Sequence, residues 1–361
     1  MGLFLHKLSV FQFKNYLHQD FDFTEKVVGI CGRNGLGKTN LLDAIHYLAF
    51  TRSYFTRQDA FNISHGHQGF RLEGNLTVFD KTEKAVCILR ETGKKEFSVN
   101  GEAYDKFSSH IGRYPLVIVA PDDIQLIIGG SEERRKFIDT LISQLDQDYL
   151  RNLISYTRIL QQRNSFLRSF QENFGRDLSV LDILDEQLVQ AGNAVFEKRR
   201  EVLMQFLPQV KLLYNEICMR YEDIHLYYES EMHNNSLEDL LKHNRQKDLM
   251  LQRTSGGLHR DELIFHLGQQ PFRNIASQGQ RKSLLFALKL SEMDVIKKQK
   301  HLSPLLLLDD VFEKLDEERI FNLLSRVVSD NETQVFITDT NCVRLEDQLI
   351  KMEKDFQLIT I

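Results

Sequence analysis

Eight consecutive residues, Gly32-Arg33-Asn34-Gly35-Leu36-Gly37-Lys38-Thr39, have the types and spacing to hold a polyphosphate. They satisfy the pattern G-x-x-x-x-G-K-[ST] in full. Lys26-Val27-Val28-Gly29-Ile30-Cys31 precedes them and reads as a short buried strand, while Asn40 to Leu48 reads as a helix. Glycines let the backbone turn several N–H groups toward one anion, and a helix start adds roughly half a positive elementary charge. In that setting Lys38 reaches the β- and γ-phosphates and the Thr39 hydroxyl ligates Mg²⁺. Residues 32–39 and Asn40 are therefore the candidate nucleotide contacts.

A second group of polar residues lies far along the chain. Leu305-Leu306-Leu307-Leu308 is a strongly apolar run that ends in Asp309-Asp310. In nucleoside triphosphatases a strand next to the phosphate loop delivers an acid to the metal. Asp309 is the candidate for that role, and Asp310 is the candidate that positions or deprotonates the attacking water. Ser277-Gln278-Gly279-Gln280 opens a helix before that strand. Ser277 is a good N-cap, and capping alone explains it. A sharper reading makes this a second anion-directed helix start, with Ser277 and the Gly279 N–H aimed at a γ-phosphate.

The elements that would position these groups fall in three stretches. Up to about Ala120 the chain is strand-rich, with a hairpin around Gly93, a tight turn at Asn100-Gly101 and a buried strand at Leu116 to Ala120. From Ser131 to Leu251 apolar residues fall at helical spacing, one stripe running Phe137, Leu141, Leu145, Tyr149, Leu153, Leu160. A second stripe runs from Leu184 to Ile217, and Asn173-Phe174-Gly175 breaks the two. An antiparallel helix pair is expected. The last stretch alternates again: a helix over 277–298, a strand over 305–308, a helix over 315–328, and strands over 334–338 and 356–361. Alternation implies a mainly parallel sheet, so the fold class is α/β, split by a helical insertion. The expected division is 1–122, 123–252 and 253–361.

Composition narrows little. The net charge of −5 over 361 residues neither favours nor excludes nucleic acid. No apolar run is long enough to span a bilayer, and a cytoplasmic location is expected. Cys31, Cys87, Cys218 and Cys342 are scattered without a C-x-x-C and are expected to be reduced. Arg134-Arg135-Lys136, Lys198-Arg199-Arg200 and Lys297-Lys298-Lys300 are short basic clusters on expected helices, better explained by a solvated helix face than by DNA contact, and Lys94-Lys95 on the hairpin loop is a further basic candidate. His65 and His67 read as surface residues, whereas His259 lies beside Arg260 and Asp261 with a structural role still open.

The order of these motifs resembles the ABC-type ATPases, including the SMC-like heads. Ala276-Ser277-Gln278-Gly279-Gln280 is similar to their Leu-Ser-Gly-Gly-Gln signature without its first Gly, and Leu315-Asp316 resembles their D-loop. The resemblance narrows to the RecF family of bacterial recombinational-repair ATPases. Phe13-Lys14-Asn15-Tyr16, Ala120-Pro121-Asp122-Asp123 with Arg134 to Asp139, and Gly257-Leu258-His259-Arg260-Asp261-Glu262 all resemble motifs of that family. Lys14 replaces an Arg that would contact nucleotide phosphate, Asp310 replaces the usual Glu of ABC-type ATPases, and Asp339 stands where many of them place a γ-phosphate-sensing His.

That resemblance implies an ABC-type head with a strand-rich first part and a helical lobe, binding ATP and Mg²⁺. It implies weak, DNA-stimulated hydrolysis in a dimer, where Ser277, Gly279 and Gln280 complete the partner's site. It further implies binding at single-strand gaps and single-strand/double-strand junctions of DNA, and work with RecR and RecO to load RecA. No membrane partner is implied. The alternative is a structural, chromosome-tethering ATPase of the SMC class. That class separates its halves with long heptad arms, which residues 131–251 cannot supply.

Overall fold

Two kinds of strand pattern build two kinds of sheet. The computed structural model describes residues 2–172, 178–219, 221–311, 326–327 and 332–361. The chain opens with Leu3–Phe13 (β1), Tyr16–Asp22 (β2), Val27–Cys31 (β3), Lys38–Phe50 (α1), Phe70–Val78 (β4), Lys81–Leu89 (β5), Lys95–Val99 (β6), Glu102–Ala103 (β7) and Leu116–Val119 (β8). There follow Gln125–Ile128 (α2), Ser131–Leu145 (α3), Gln147–Glu172 (α4), Ser179–Cys218 (α5), Ile224–Glu229 (β9) and Leu237–Leu251 (α6). Glu262–Leu267 (β10), Gln270–Pro271 (β11), Phe272–Ile275 (α7) and Gln278–Lys300 (α8) come next. Leu305–Leu308 (β12), Val335–Asp339 (β13), Cys342–Ile350 (α9) and Phe356–Thr360 (β14) close the series.

One compact unit takes Met1–Asp123, Glu216–Met219 and Lys282–Ile361; the other takes Ile124–Asn215 and Arg220–Arg281. Within the first unit, strands that alternate buried and exposed residues form a six-stranded antiparallel sheet, β2-β1-β4-β5-β6-β7. Strands β3, β13, β12 and β8, buried along their whole length, form a parallel sheet with the half-buried β14 at one edge, in the order β14-β3-β13-β12-β8. Strands covered on both faces read as continuous apolar runs, and these do. Helix α1 is buried continuously from Leu41 to Phe50. Leu41, Leu42, Ile45 and Leu48 join Leu5, Leu8, Val10 and Phe13 of β1 and Leu307 and Phe336 of the parallel sheet in one core. A helix apolar on every side belongs inside a core, and that burial fixes where its N-terminus points.

The second unit is not wholly helical. β9 pairs with β10 and β10 with β11 in a three-stranded antiparallel sheet. Residues 253–281, assigned from sequence to the C-terminal half, group with this unit. The expected single stripe from Phe137 to Leu160 belongs to two helices, α3 and α4, parted at Asp146. In α4 the interior positions are Tyr149, Tyr156, Ile159 and Leu167, together with the fully buried Arg163. Arg163 donates to Asp185 at 2.6 Å, Asp248 at 2.7 Å and the Thr254 hydroxyl at 2.9 Å. A charge so placed is tolerated because it is paired, and hydropathy alone cannot mark it as interior.

The expected break at Asn173-Phe174-Gly175 and most of the expected helix over 315–328, with Leu315-Asp316, lie outside the described residues.

Candidate functional site

The phosphate loop runs from the end of β3 into α1 and needs its glycines. Gly35 and Gly37 hold φ of +83° and +116°, conformations that side chains rarely adopt. A Cβ on Gly37 would lie 2.5 Å from Asn15 Nδ2 and 2.8 Å from the Tyr16 hydroxyl, so the β1–β2 turn packs directly against the loop. Gly32 leaves no room either, because a Cβ there would lie 2.4 Å from the Ile361 carbonyl. Lys38 is buried, and its ammonium donates to the Gly32 and Arg33 carbonyls at 2.9 and 3.2 Å. The lysine is thus curled inside the loop that its backbone encloses. Arg33, Asn34, Gly35 and Leu36 are exposed.

The acidic pair arrives on β12. That strand lies beside the phosphate loop as expected, with β13 between it and β3 in the sheet. β13 brings Thr338 to the acids. Its hydroxyl donates to Asp309 at 2.8 Å and accepts the Asp310 N–H at 2.9 Å. The Thr39 hydroxyl lies 3.0 Å from both oxygens of Asp309. Asp309 is buried, and that burial raises its pKa against the opposing pull of its two threonine partners. Two hydroxyls on one carboxylate form an all-oxygen donor set of the kind hard divalent cations take. Asp310 follows with φ of +45°, a strained conformation for a non-glycine residue that tends to occur at working sites.

A second buried acid organises the back of the loop. Asp43, one turn past Thr39 in α1, accepts from the Ser53 hydroxyl at 2.6 Å, the Tyr54 N–H at 2.7 Å and the Lys14 ammonium at 2.6 Å. Lys14, expected near a phosphate, is therefore paired with Asp43. Asn40, expected to contact nucleotide, donates its amide to Asn15 Oδ1 at 2.8 Å.

In the second unit, Ser277 caps α8. Its hydroxyl accepts the Gln280 N–H at 3.2 Å, while Gln280 Oε1 accepts the Ser277 N–H at 2.8 Å. This reciprocal pair is a capping box, legible as S-x-x-Q but read from the sequence only as a single cap. The Gln280 amide then donates to Glu222 at 2.9 Å. Gly279 lies in the first turn of α8, beside the exposed Ser277.

A phosphate loop, a strand ending in two acids and a capped helix start, in this order along the chain, invite comparison with known proteins. The model of the RecF/RecN/SMC N terminal domain family matches residues 4–359. The DNA replication and repair protein RecF of Flavobacterium johnsoniae is 45% identical over 342 residues, covering 95% of each chain. The chain belongs to the RecF family. RecF of Parabacteroides distasonis is 40% identical over 359 residues, covering 99% of this chain and 97% of its own. A solved structure described as the recombination mediator protein RecF-ATPrS in the RecFOR pathway superimposes with a TM-score of 0.87 at 29% identity, covering 94% and 93% of the two chains. An Smc head domain from Pyrococcus furiosus shares the fold, with a TM-score of 0.53 at 16% identity. The fold is therefore the ABC-type head shared by RecF and SMC proteins.

Other expectations for this RecF-family chain meet the structure with mixed results. Most of the basic clusters turn inward or pair with acids. Arg134 binds Glu262 at 2.5 Å, Arg135 donates to the Asp261 carbonyl at 2.8 Å, and the buried Arg199 bridges Asp139 and Asp261 at 2.8 and 2.9 Å. Arg200 pairs with Glu197 at 2.5 Å, Lys297 with Glu332 at 3.0 Å and Lys95 with Asp59 at 2.8 Å. His259 has both ring nitrogens engaged, by the Tyr156 hydroxyl at 3.2 Å and the Thr254 carbonyl at 3.1 Å. Asp339 is buried and bound by Arg344 at 2.5 and 2.8 Å. The cysteine expectation holds for Cys87 and Cys218, which are free and buried, and is corrected for the other two. Cys31 and Cys342 form a disulfide across a sequence separation of 311 residues. β3 and β13 pair with Cys31 beside Asp339, and α9 starts three residues later, so the sheet itself brings the two sulfurs together.

Proposed function

We propose that this chain is an ATP-binding, DNA-binding protein of recombinational repair that hydrolyses ATP weakly as a dimer. The observation that carries the reading is the Thr39–Asp309–Thr338 arrangement at the mouth of an intact phosphate loop, with the hydroxyls 3.0 and 2.8 Å from the carboxylate. Gly32 to Thr39 hold the phosphates through backbone N–H groups and the Lys38 ammonium. Thr39 and Asp309 hold Mg²⁺, directly or through water. Mg²⁺ held by these two residues would supply positive charge to offset what develops on the phosphates. Asp310 orients the attacking water and accepts its proton.

Ser277, Gly279 and Gln280 act on the nucleotide of a second copy. The Ser277 oxygen already accepts from Gln280, which leaves its own O–H to donate to a γ-phosphate. ATP then favours the closed dimer because it contacts both copies, and loss of the γ-phosphate releases it. DNA at gaps and single-strand/double-strand junctions is the proposed ligand of the dimer, with RecR and RecO as partners and RecA as the protein loaded. The sequence carries no recognition-helix signature, so contact is to backbone and shape rather than base sequence. The described helices favour this reading over a chromosome tether, since the longest among the described residues, α5, has 40 residues.

Gel-shift binding to gapped and to fully duplex DNA, with and without ATP, tests the proposal. ATP should strengthen binding to gapped DNA, and affinity should fall steeply with salt. Equal binding to both DNAs at every ATP concentration rejects the junction assignment.

A further inference from the structure

The β1–β2 turn touches the phosphate loop through side chains that the motif pattern does not contain. Asn15 Nδ2 donates to the Leu36 carbonyl at 2.8 Å, and Asn15 Oδ1 accepts from Asn40 at 2.8 Å. The Tyr16 hydroxyl donates to the Gly37 carbonyl at 3.0 Å. Two successive peptide carbonyls of the loop are thereby held from one side. A peptide whose carbonyl is tied outward turns its N–H the other way, and N–H groups pointed at the ligand are what an anion site needs. Gly37 is the residue that a Cβ would drive into both Asn15 and Tyr16.

The turn is itself built to stay in place. Lys14 has φ of +52°, its N–H donates to the Asn62 carbonyl at 2.8 Å, and its ammonium is fixed on Asp43. The Tyr16 ring is buried and packs edge-on against Phe21, with ring centroids 5.6 Å apart. Strand β1, the turn and the first turn of α1 are thus bound to one another by side chains from three separate segments.

We propose that Asn15 and Tyr16 are positioning residues for the phosphate loop, presetting the Leu36 and Gly37 peptides for a nucleoside triphosphate. The proposal rests on the nucleotide-binding reading above. Asn15 reaches both the last peptides of the loop, through Leu36, and the first turn of the helix, through Asn40. Tyr16 adds the second carbonyl. Lys14 anchors the turn that carries them.

Two single variants separate this role from general packing. Asn15→Leu keeps the branched shape and removes both hydrogen bonds without adding charge. Tyr16→Phe keeps the ring and removes one hydrogen bond. ATP affinity should fall about tenfold or more in the first and about threefold to tenfold in the second. The thermal midpoint measured without nucleotide should stay at the wild-type value, and backbone amide exchange over residues 33–40 should speed up. Unchanged ATP affinity in both variants, alongside its loss in Lys38→Ala, overturns the positioning role and leaves the nucleotide site standing. No ATP binding by the wild-type chain overturns the nucleotide reading instead. A fall in midpoint that accounts for the whole loss of affinity assigns the two residues to the fold, against the proposal. If Asn15→Leu does not fold, Tyr16→Phe decides alone, because its ring packing is untouched.

Discussion

The two halves of the proposed site keep their polar atoms in different ways. Around the phosphate loop, Thr39, Asp309, Thr338 and Asp310 bond to one another inside one unit, and the central carboxylate is buried. At the start of α8, Ser277 and Gln280 satisfy each other's backbone N–H groups at an exposed helix end. The first arrangement is a finished receptor whose donors and acceptors wait in place. The second spends its side chains on its own helix and offers only what remains, an O–H and the partial charge of a helix start. Such an end has little hold on an anion by itself. On the proposed reading it acts on a phosphate already held by a second copy.

The comparison breaks most visibly at Lys38 and Ser277. Lys38→Ala should lower ATP affinity about a thousandfold, since it removes charge-assisted hydrogen bonds to phosphate. Ser277→Arg should leave ATP affinity unchanged while abolishing ATP-dependent dimerisation in light scattering. Loss of ATP binding in both variants would mean that the halves are not separable. A smaller effect is expected at Asp310. Asp310→Asn should cut steady-state hydrolysis about a hundredfold while ATP binding persists, so the dimer outlives its wild-type counterpart. Hydrolysis at the wild-type rate removes Asp310 from the chemistry.

Burial of acids in the phosphate-loop unit gives a third test. Glu292 is enclosed within α8, one of its oxygens lacks a hydrogen-bond partner, and burial pushes its pKa up to about 7. Lys289 and Asp123 are the charged groups that act on it. A raised carboxyl contributes stability below its unfolded pKa and loses it as pH rises through the folded one. Glu292→Gln stays neutral throughout. Its stability should exceed that of the wild type by on the order of 2 kcal/mol above pH 7 and match it near pH 4, by chemical denaturation. Parallel pH curves for the two proteins would refute this. The smallest effect is expected from Thr338→Val, nearly equal in size, which strips one hydroxyl from Asp309 and from the Asp310 N–H. A roughly tenfold weaker dependence of hydrolysis on Mg²⁺ is expected, from the usual cost of removing a partner of a metal ligand. Unaltered Mg²⁺ titration would make Thr338 a packing residue only.

The local parts of this design were legible in the sequence. The phosphate loop, the Leu305–Leu308 strand with its acids and the cap at Ser277 each declare themselves within ten residues. Alternation of strands with helices in the last stretch also pointed to the parallel sheet, because parallel neighbours need a crossover between them. What escaped was set by register between distant segments. Thr338 matters only because β13 lies between β3 and β12, an order that no local pattern encodes. Asp43 reads as a polar residue on a helix, yet the fold buries it under three donors from two other segments. Arg163 interrupts an apolar stripe and was passed over for Leu160, although two acids make its burial possible. β9 was hidden because Ile224 to Glu229 alternates too weakly to stand out from helical surroundings. The Cys31–Cys342 pairing needed the sheet order before it could be seen.

The closeness of Ile361 to Gly32 bears on how the protein can be handled. The Ile361 N–H donates to the Cys31 carbonyl at 2.9 Å, and β14 runs beside β3 toward the phosphate loop. Bulk added to the backbone at Ile361 would therefore press on the first glycine of that loop. Labels for single-molecule work are better placed on the exposed Glu91 of the β5–β6 hairpin than on Gly93, whose φ of +78° a side chain would strain.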